Sequence, residues 1–330
     1  MTGYDIIGDI HGHYDELITL LTGMKYRKKD EVYVHPEGRL PIFVGDLIDR
    51  GPKIRETIEF VKNMVDNKLA LCIAGNHEYN AVNFWKLTKN STGYYRKHCR
   101  ANIIQHFATI KAFQNRDEEW ETYLKWMENL PIIIEMDNFR VVHASYHPSV
   151  LKMVNKISQI SKNPNYLIQS LSREGDDADW HVDDKLTVQD ITEKVLKGTE
   201  TKLPDGIHFY DKDKTKRTKA RIKWWLKPQN NTYNNYLEPL AGQQAILKDM
   251  PVDVNLIDSY YLDGYSENEK PVFFGHYWLQ MNNDTGPCIQ SKNVCCLDYS
   301  VAKQGYLVAY RFDGELALNN DKFIYCKAKT

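Results

Sequence analysis

The sequence predicts an α/β fold, with a largely parallel sheet at its start and a second, more antiparallel sheet towards its end. Three observations carry this. Apolar runs alternate with amphipathic helical stretches over the first third of the chain, a long polar segment fills residues 150–270, and several short strand-like runs follow it.

"DIIGD" reads as the first strand, and Leu17, Leu20, Leu21 and Met24 then recur at helical spacing. "PIFVGD" is the second strand, ended where Gly51 and Pro52 break the chain. Ile54, Ile58, Val61 and Val65 follow at steps of three and four, one face of an amphipathic helix, and "LALCIAGN" is the third strand. Residues 84–130 read as a helical segment rich in aromatics and charges. "PIIIEM" and "RVVHAS" form a strand pair across the turn "DN". Residues 150–270 carry the acidic "EGDDADWHVDD" and the basic "KDKTKRTKARIKWW", and read as an insertion or cap within one catalytic domain spanning 1–330. "PVFFGH", "NVCCLD", "GYLVAYR" and "KFIYC" supply the later strands.

The 330 residues are 42% hydrophobic and 26% charged with net charge −1, so total charge lends no support to a nucleic-acid partner. No apolar run reaches the ~18 residues of a membrane helix. No basic region followed by an apolar signal core opens the chain, so the cytoplasm is the expected compartment. None of the six cysteines sits in a CxxC pair, and all six read as structural.

Four motifs share one grammar, an apolar strand followed by ligand-type residues: "GDIHG" (Asp9, His11), "GDLIDRG" (Asp46, Asp49, Arg50), "GNHE" (Asn76, His77, Glu78) and "VVHAS" (His143). "VFFGH" adds His276. A carboxylate beside an imidazole can be a structural pair, half of an acid/base couple, or two arms of a metal site. In open α/β sheets ligands bind beyond the carboxyl ends of strands, so all five could converge on one crevice. The residue types suit a two-metal centre, in which a carboxylate bridges the ions and a bridging water is deprotonated near neutral pH to attack phosphorus. A histidine outside the ligand set, such as His77, can protonate the leaving oxygen, and the planar fork of Arg50 matches phosphate.

GDxHG, GDxxDRG and GNHE in this order resemble the phosphoprotein-phosphatase branch of the calcineurin-like metallophosphoesterases. "YDIIGDIHGHYDEL" and "HPEGRLPIFVGDLIDRGP" are similar in particular to bacterial Ser/Thr phosphatase-like and diadenosine tetraphosphatase members. The resemblance covers residues 3–147 and resumes over 271–315 with "FFGHYW", "CLDYS" and "LVAYRFDGE". It implies a two-sheet β-sandwich flanked by helices and two divalent metal ions. Mn²⁺ is the first expectation, with Fe or Zn²⁺ compatible with mixed nitrogen and oxygen ligands. Carried over by position, Asp9, His11 and Asp46 would hold the first ion. Asp46 would bridge to a second held by Asn76, His143 and His276. His77 would be the general acid, oriented by Asp49. Arg50 would bind phosphate together with an arginine of the insertion, Arg221 or Arg217.

The chain departs from family patterns in reading "HAS" rather than HAG or HGG, in carrying "CLDYS" where eukaryotic Ser/Thr phosphatases carry SAPNY, and in its long insertion. The expected activity is metal-dependent hydrolysis of a phosphate ester or anhydride. Dinucleoside polyphosphate, phosphoprotein and nucleic-acid-end phosphate remain open as substrates, and a non-catalytic phosphate-ligand sensor is the alternative class. His13 reads as a rim residue, His147 as a buried one, and Tyr277 as a possible substrate contact. Trp224 and Trp225 read as anchors of the insertion. "DKDKTK" begins like a calcium loop but lacks its glycine and its closing glutamate.

Overall fold

The computed structural model describes residues 3–88, 92–160, 182, 186–210, 216–240, 244–281 and 284–329. Its frame follows from where the apolar runs can bury both faces. Strands β1 (Tyr4–Ile7), β4 (Leu40–Phe43) and β5 (Leu71–Cys72) lie parallel, with Ile6 opposite Ile42 and Phe43 opposite Cys72. Helices α1 (Tyr14–Gly23) and α2 (Ile54–Asp66) make the crossovers that parallel pairing requires. Side chains alternate along these strands. Ile7 and Phe43 join Leu17, Leu21, Ile58 and Val61 of the helices in one buried cluster. Ile6, Ile42 and Val44 belong to a second cluster, with Phe139, Val141, Phe273 and Cys295 of the other sheet. Two sheets therefore face each other across an apolar layer.

The second sheet has the order β13 (Val294–Cys296), β12 (Val272–Phe274), β7 (Arg140–Val142), β6 (Ile133–Glu135). Its β6–β7 pair is antiparallel across the expected turn, with Ile134 opposite Val141. The remaining late strands correct the sequence reading. They do not build one antiparallel sheet: β12 pairs in parallel with both β7 and β13, while β15 (Tyr306–Phe312) crosses back to pair antiparallel with β1 in the first sheet. Connection length explains the division. The long stretch between β12 and β13 permits a parallel return, whereas the short one after β15 folds β16 (Phe323–Lys327) back beside it as a hairpin. A small hairpin, β2 (Arg27–Lys29) with β3 (Val32–Val34), escaped the sequence reading because β2 is exposed and wholly basic and the apolar run of β3 is only three residues long.

Residues 84–130 contain α4 (Arg100–Ala112) and α5 (Asp117–Glu128) after the end of α3 (Asn76–Trp85). In the 150–270 segment, α6 (Ser149–Ile160) and the helix Val188–Lys197 accompany an antiparallel pair, β8 (Glu200–Lys202) with β11 (Lys219–Arg221). Trp224 anchors this segment: it is buried against Phe274 and donates from Nε1 to the Ala144 carbonyl at 3.1 Å. Trp225 is buried beside it. Except for Val182, the acidic stretch 174–184 lies outside the described residues, as does 211–215 of the calcium-like run. No helix among the described residues is long and apolar enough to cross a membrane.

The ligand-type motifs all follow strand ends. Asp9 comes just after β1, Asp46 after β4, Asn76 after β5, His143 after β7 and His276 after β12. Parallel pairing within each sheet points these carboxyl ends the same way.

Candidate metal centre

Tight backbone turns bring the motifs together. His11, Asp46, Asp49, Arg50, His276 and Trp278 all have positive φ, between 48° and 71°. This region is disfavoured for residues with a side chain, and strain of this kind clusters at functional sites. The first two loops are tied by bonds from the Ile10 and His11 amides to the Asp46 carbonyl, at 3.2 and 2.8 Å. Two glycines permit the closest approaches. A Cβ on Gly75 would lie 2.2 Å from Asp46 Oδ1, and one on Gly275 would lie 1.9 Å from Asp9 Oδ1. Glu78 is structural: its carboxylate accepts from the amides of Asp46, Leu47 and Gly75, each at 2.8 Å.

Asp46 stands at the middle of the site. Its Oδ2 lies 3.5 Å from His11 Nε2 and 4.0 Å from His77 Nε2, and its Oδ1 lies 3.4 Å from His143 Nε2. Two buried groups thus share it: His11, Asp46 and His77, and Asp46, His143 and His276, with ligand atoms within 4.8 Å of one another in each. Asn76 Oδ1 joins the second at 3.1 Å from His143 Nε2. Asp9 lies in neither group. Its Oδ2 accepts from the His276 amide at 3.0 Å, and its Oδ1 is buried without a partner.

Electrostatics test whether cations belong here. His11 and His143 each direct Nδ1 at a backbone carbonyl, Ile48 and Val44 respectively, at 2.8 Å. This orients Nε2 inward in both. Burial, reinforced by His77, pushes His11 down to about 3, so its ring is neutral near pH 7. Its Nε2 then presents a lone pair to the Asp46 carboxylate and is itself buried without a partner. Burial would raise Asp46, but His143 and His77 outweigh it and hold the group well below the usual carboxylate range. The His11 lone pair and this buried carboxylate repel each other unless a cation lies between them. The two His/Asp groups fit a binuclear metal site.

Beside the centre, His77 Nδ1 donates to Asp49 Oδ2 at 2.5 Å. Asp49 is held in turn by two residues that sequence reasoning missed. His106 Nδ1 lies 2.9 Å from Asp49 Oδ1, and Thr109 Oγ1 donates to the same oxygen at 2.5 Å. Both sit on α4, in a stretch without any motif. Burial would raise Asp49, yet His106 and His77 hold it well below the carboxylate range, so it is ionised. Burial would lower His77, and the Asp46 and Asp49 carboxylates overcome this and raise it. Arg50 reaches His77 Nε2 at 3.5 Å and lies over the Trp278 ring, 4.4 Å from its centre.

A cavity of about 820 Å³ opens over the centre, lined by Asp46, Asn76, His77 and His276 on its floor and by residues of the insertion on its wall. Both insertion arginines line it. Arg217 is exposed. Arg221 is tied down, with Nη1 paired to Glu238 Oε2 at 2.7 Å and Nε donating to the Lys197 carbonyl at 2.9 Å. Tyr277 is buried with its hydroxyl donating to the Ile222 carbonyl at 2.9 Å, so in this structure it packs the insertion instead of facing the cavity. His13 is half-buried beside Glu16, and His147 is buried against Tyr260.

The family model Metallophos, described as calcineurin-like phosphoesterase, matches residues 4–227. Over 74 residues the chain is 53% identical to bis(5'-nucleosyl)-tetraphosphatase PrpE (asymmetrical) of Halalkalibacterium halodurans, a match covering 22% of this chain and 30% of that protein. It is 32% identical over 148 residues to the PrpE of Anoxybacillus flavithermus, covering 43% and 56%. The chain thus spans only about a third to a half of the curated relatives it matches. Among solved structures, the cold-active protein-tyrosine phosphatase of a Shewanella species aligns over 100% of this chain and 81% of its own, with 16% identity and a TM-score of 0.48. A Saccharomyces cerevisiae protein serine/threonine phosphatase aligns over 100% and 80%, with 11% identity and a TM-score of 0.37.

Proposed function

The chain belongs to the calcineurin-like phosphoesterases, and from that premise we propose that it hydrolyses a phosphoanhydride bond of a dinucleoside polyphosphate, with His77 as proton donor. The observation that carries the reading is the position of Asp46, a buried carboxylate shared by two imidazole groups on the floor of a large cavity. The substrate class is supported by the tetraphosphatase activity for which the PrpE relatives are named and by the cavity, whose volume far exceeds that of one phosphate.

Asp9, His11 and Asp46 would hold one ion, and Asp46, Asn76, His143 and His276 the other. When bound, such ions supply Lewis-acid charge to the phosphoryl oxygens and an activated water. The chain's own groups do the rest. Asp49 fixes the His77 ring by its Nδ1 hydrogen, which leaves Nε2 as the atom that gives a proton to the leaving oxygen. Ionised Asp49 also favours protonated His77, the state a general acid needs. Arg50, laid on Trp278, presents its fork to the phosphate oxygens of the reacting group. Residues 150–270 act as the cap, a role supported by the presence of Arg217 and Arg221 in the cavity wall.

Turnover of p-nitrophenyl phosphate with added Mn²⁺ tests the reaction class, and a folded, metal-loaded protein with no turnover would refute it. A panel of diadenosine tetraphosphate, a phosphoserine peptide and a 3′-phosphorylated oligonucleotide tests the substrate. The highest kcat/KM is expected on the dinucleotide, and preference for the peptide would overturn that choice. His77→Asn is expected to retain two metals per chain while losing about 10²- to 10⁴-fold in kcat.

A further inference from the structure

One wall of the cavity is built by α3, which presents Asn76, Asn80 and Asn83 at i, i+4 and i+7. Residues at that spacing share a helix face, so the stripe runs about 10 Å along the axis, away from the metal centre. At its far end the Arg96 amide donates to the Asn83 carbonyl at 2.8 Å, which sets the Arg96 side chain in the cavity wall.

Arg96 differs from the arginines already placed. Arg221 is neutralised by Glu238, and Arg50 sits beside His77. The half-buried Arg96 bonds from Nη2 alone, to the amide oxygens of Asn102 at 2.9 Å and Gln105 at 2.5 Å. No carboxylate of the described residues pairs with it, and its Nε and Nη1 have no protein partner there. Burial holds its pKa below the ordinary arginine value, and the Asp49 carboxylate, which attracts it without pairing, only partly offsets this. Asn83 is buried, and its amide oxygen takes no hydrogen bond. A half-turn of that amide would offer its NH₂ end instead. An immobilised guanidinium with free donors beside an unsatisfied amide is a ready anion receptor.

We propose that Arg96, assisted by Asn83, forms a second anion site in the cavity, which takes a phosphate of the same substrate several ångströms beyond the one cleaved between Arg50 and the metals. The inference rests on the phosphoesterase reading of this cavity and makes substrate length a property of the α3 wall. A phosphomonoester would reach only the floor, whereas an extended polyphosphate would engage both ends.

Calorimetric binding of methylene-bridged tripolyphosphate and of inorganic phosphate, at a fixed excess of Mn²⁺, tests this without requiring turnover. The wild-type chain is expected to prefer tripolyphosphate. In Arg96→Ala the ratio of the two affinities is expected to fall by about ten- to a hundredfold, the loss that goes with a charge-assisted hydrogen bond. Arg96→Lys is expected to recover part of it by restoring the charge. The inference is overturned if the wild-type chain binds both anions alike, or if Arg96→Ala leaves the ratio unchanged, including by weakening both equally. Turnover of p-nitrophenyl phosphate by the wild-type chain is read separately. Its absence would defeat the phosphoesterase reading while the affinity ratio still decides the role of Arg96.

Discussion

Replacing Asp49 by Asn keeps the shape of the side chain and removes its charge. Asp49 now accepts three hydrogen bonds, from His77 Nδ1, His106 Nδ1 and Thr109 Oγ1. An amide offers one acceptor oxygen and an NH₂ group, so at least one buried donor loses its acceptor and faces another donor. A buried unpaired donor costs about 1–3 kcal/mol, and the bonds lost here are charge-assisted, so stability is expected to fall by about 2–3 kcal/mol in urea unfolding. The effect on rate is expected to be larger. His77 loses the group that orients its ring and favours its protonated form, and kcat on p-nitrophenyl phosphate should drop by roughly 10²- to 10⁴-fold, the usual contribution of a positioned general acid. The sign of the pH effect follows from the same contacts. Asp46 and Asp49 raise His77 against burial, so without Asp49 its pKa falls. Turnover that needs protonated His77 is lost as pH rises through that pKa, and in the variant this loss should begin at lower pH. Metal content should stay at two per chain. If instead metal leaves in step with activity, His77 is a ligand, and the division of labour argued above is wrong.

Stripping metal with a chelator should abolish turnover and lower the melting temperature, because Asp9 Oδ1 and His11 Nε2 are buried without other partners, and Mn²⁺ should restore both. An unchanged melting curve would count against a buried metal site. Arg39→Ala should cost about 3 kcal/mol in urea unfolding, since it breaks a buried pair with Asp5 and leaves that carboxylate to Arg311 and Tyr26. A loss under half that would show that those two suffice. Burial would raise Asp258, but the Lys194 ammonium at 2.8 Å lowers it below the usual carboxylate value. Its stabilisation is therefore complete above about pH 4 and is lost as pH falls through the folded-state value. In Asp258→Asn, acid unfolding curves should lose that component of their slope.

Much of the site was legible because the residues that carry it are announced locally. A short apolar run followed by Gly-Asp, Gly-Asn or a lone His needs only neighbouring residues to be read, and the first three strands and their two helices showed the same local clarity. The division of the late strands was not legible, because "VFFGH" and "YLVAYR" are both apolar runs and only the length of the following connection separates a parallel return from a hairpin. His106 and Thr109 escaped notice for a related reason. They lie 57 and 60 positions from Asp49, and α4 bears no pattern that marks one face as functional.

Chain order and residue type alone thus determined which side chains are available for metal and phosphate chemistry, since donor atoms and strand ends are properties of short segments. Tertiary structure decided which of them act on one another. It centred the site on Asp46 and tied Asp9 to the backbone of His276. It neutralised Arg221 with Glu238 and left Arg96 without a carboxylate partner among the described residues. Charge interactions depend on distance and burial, and for groups scattered from Asp9 to His276 only the packed chain sets both.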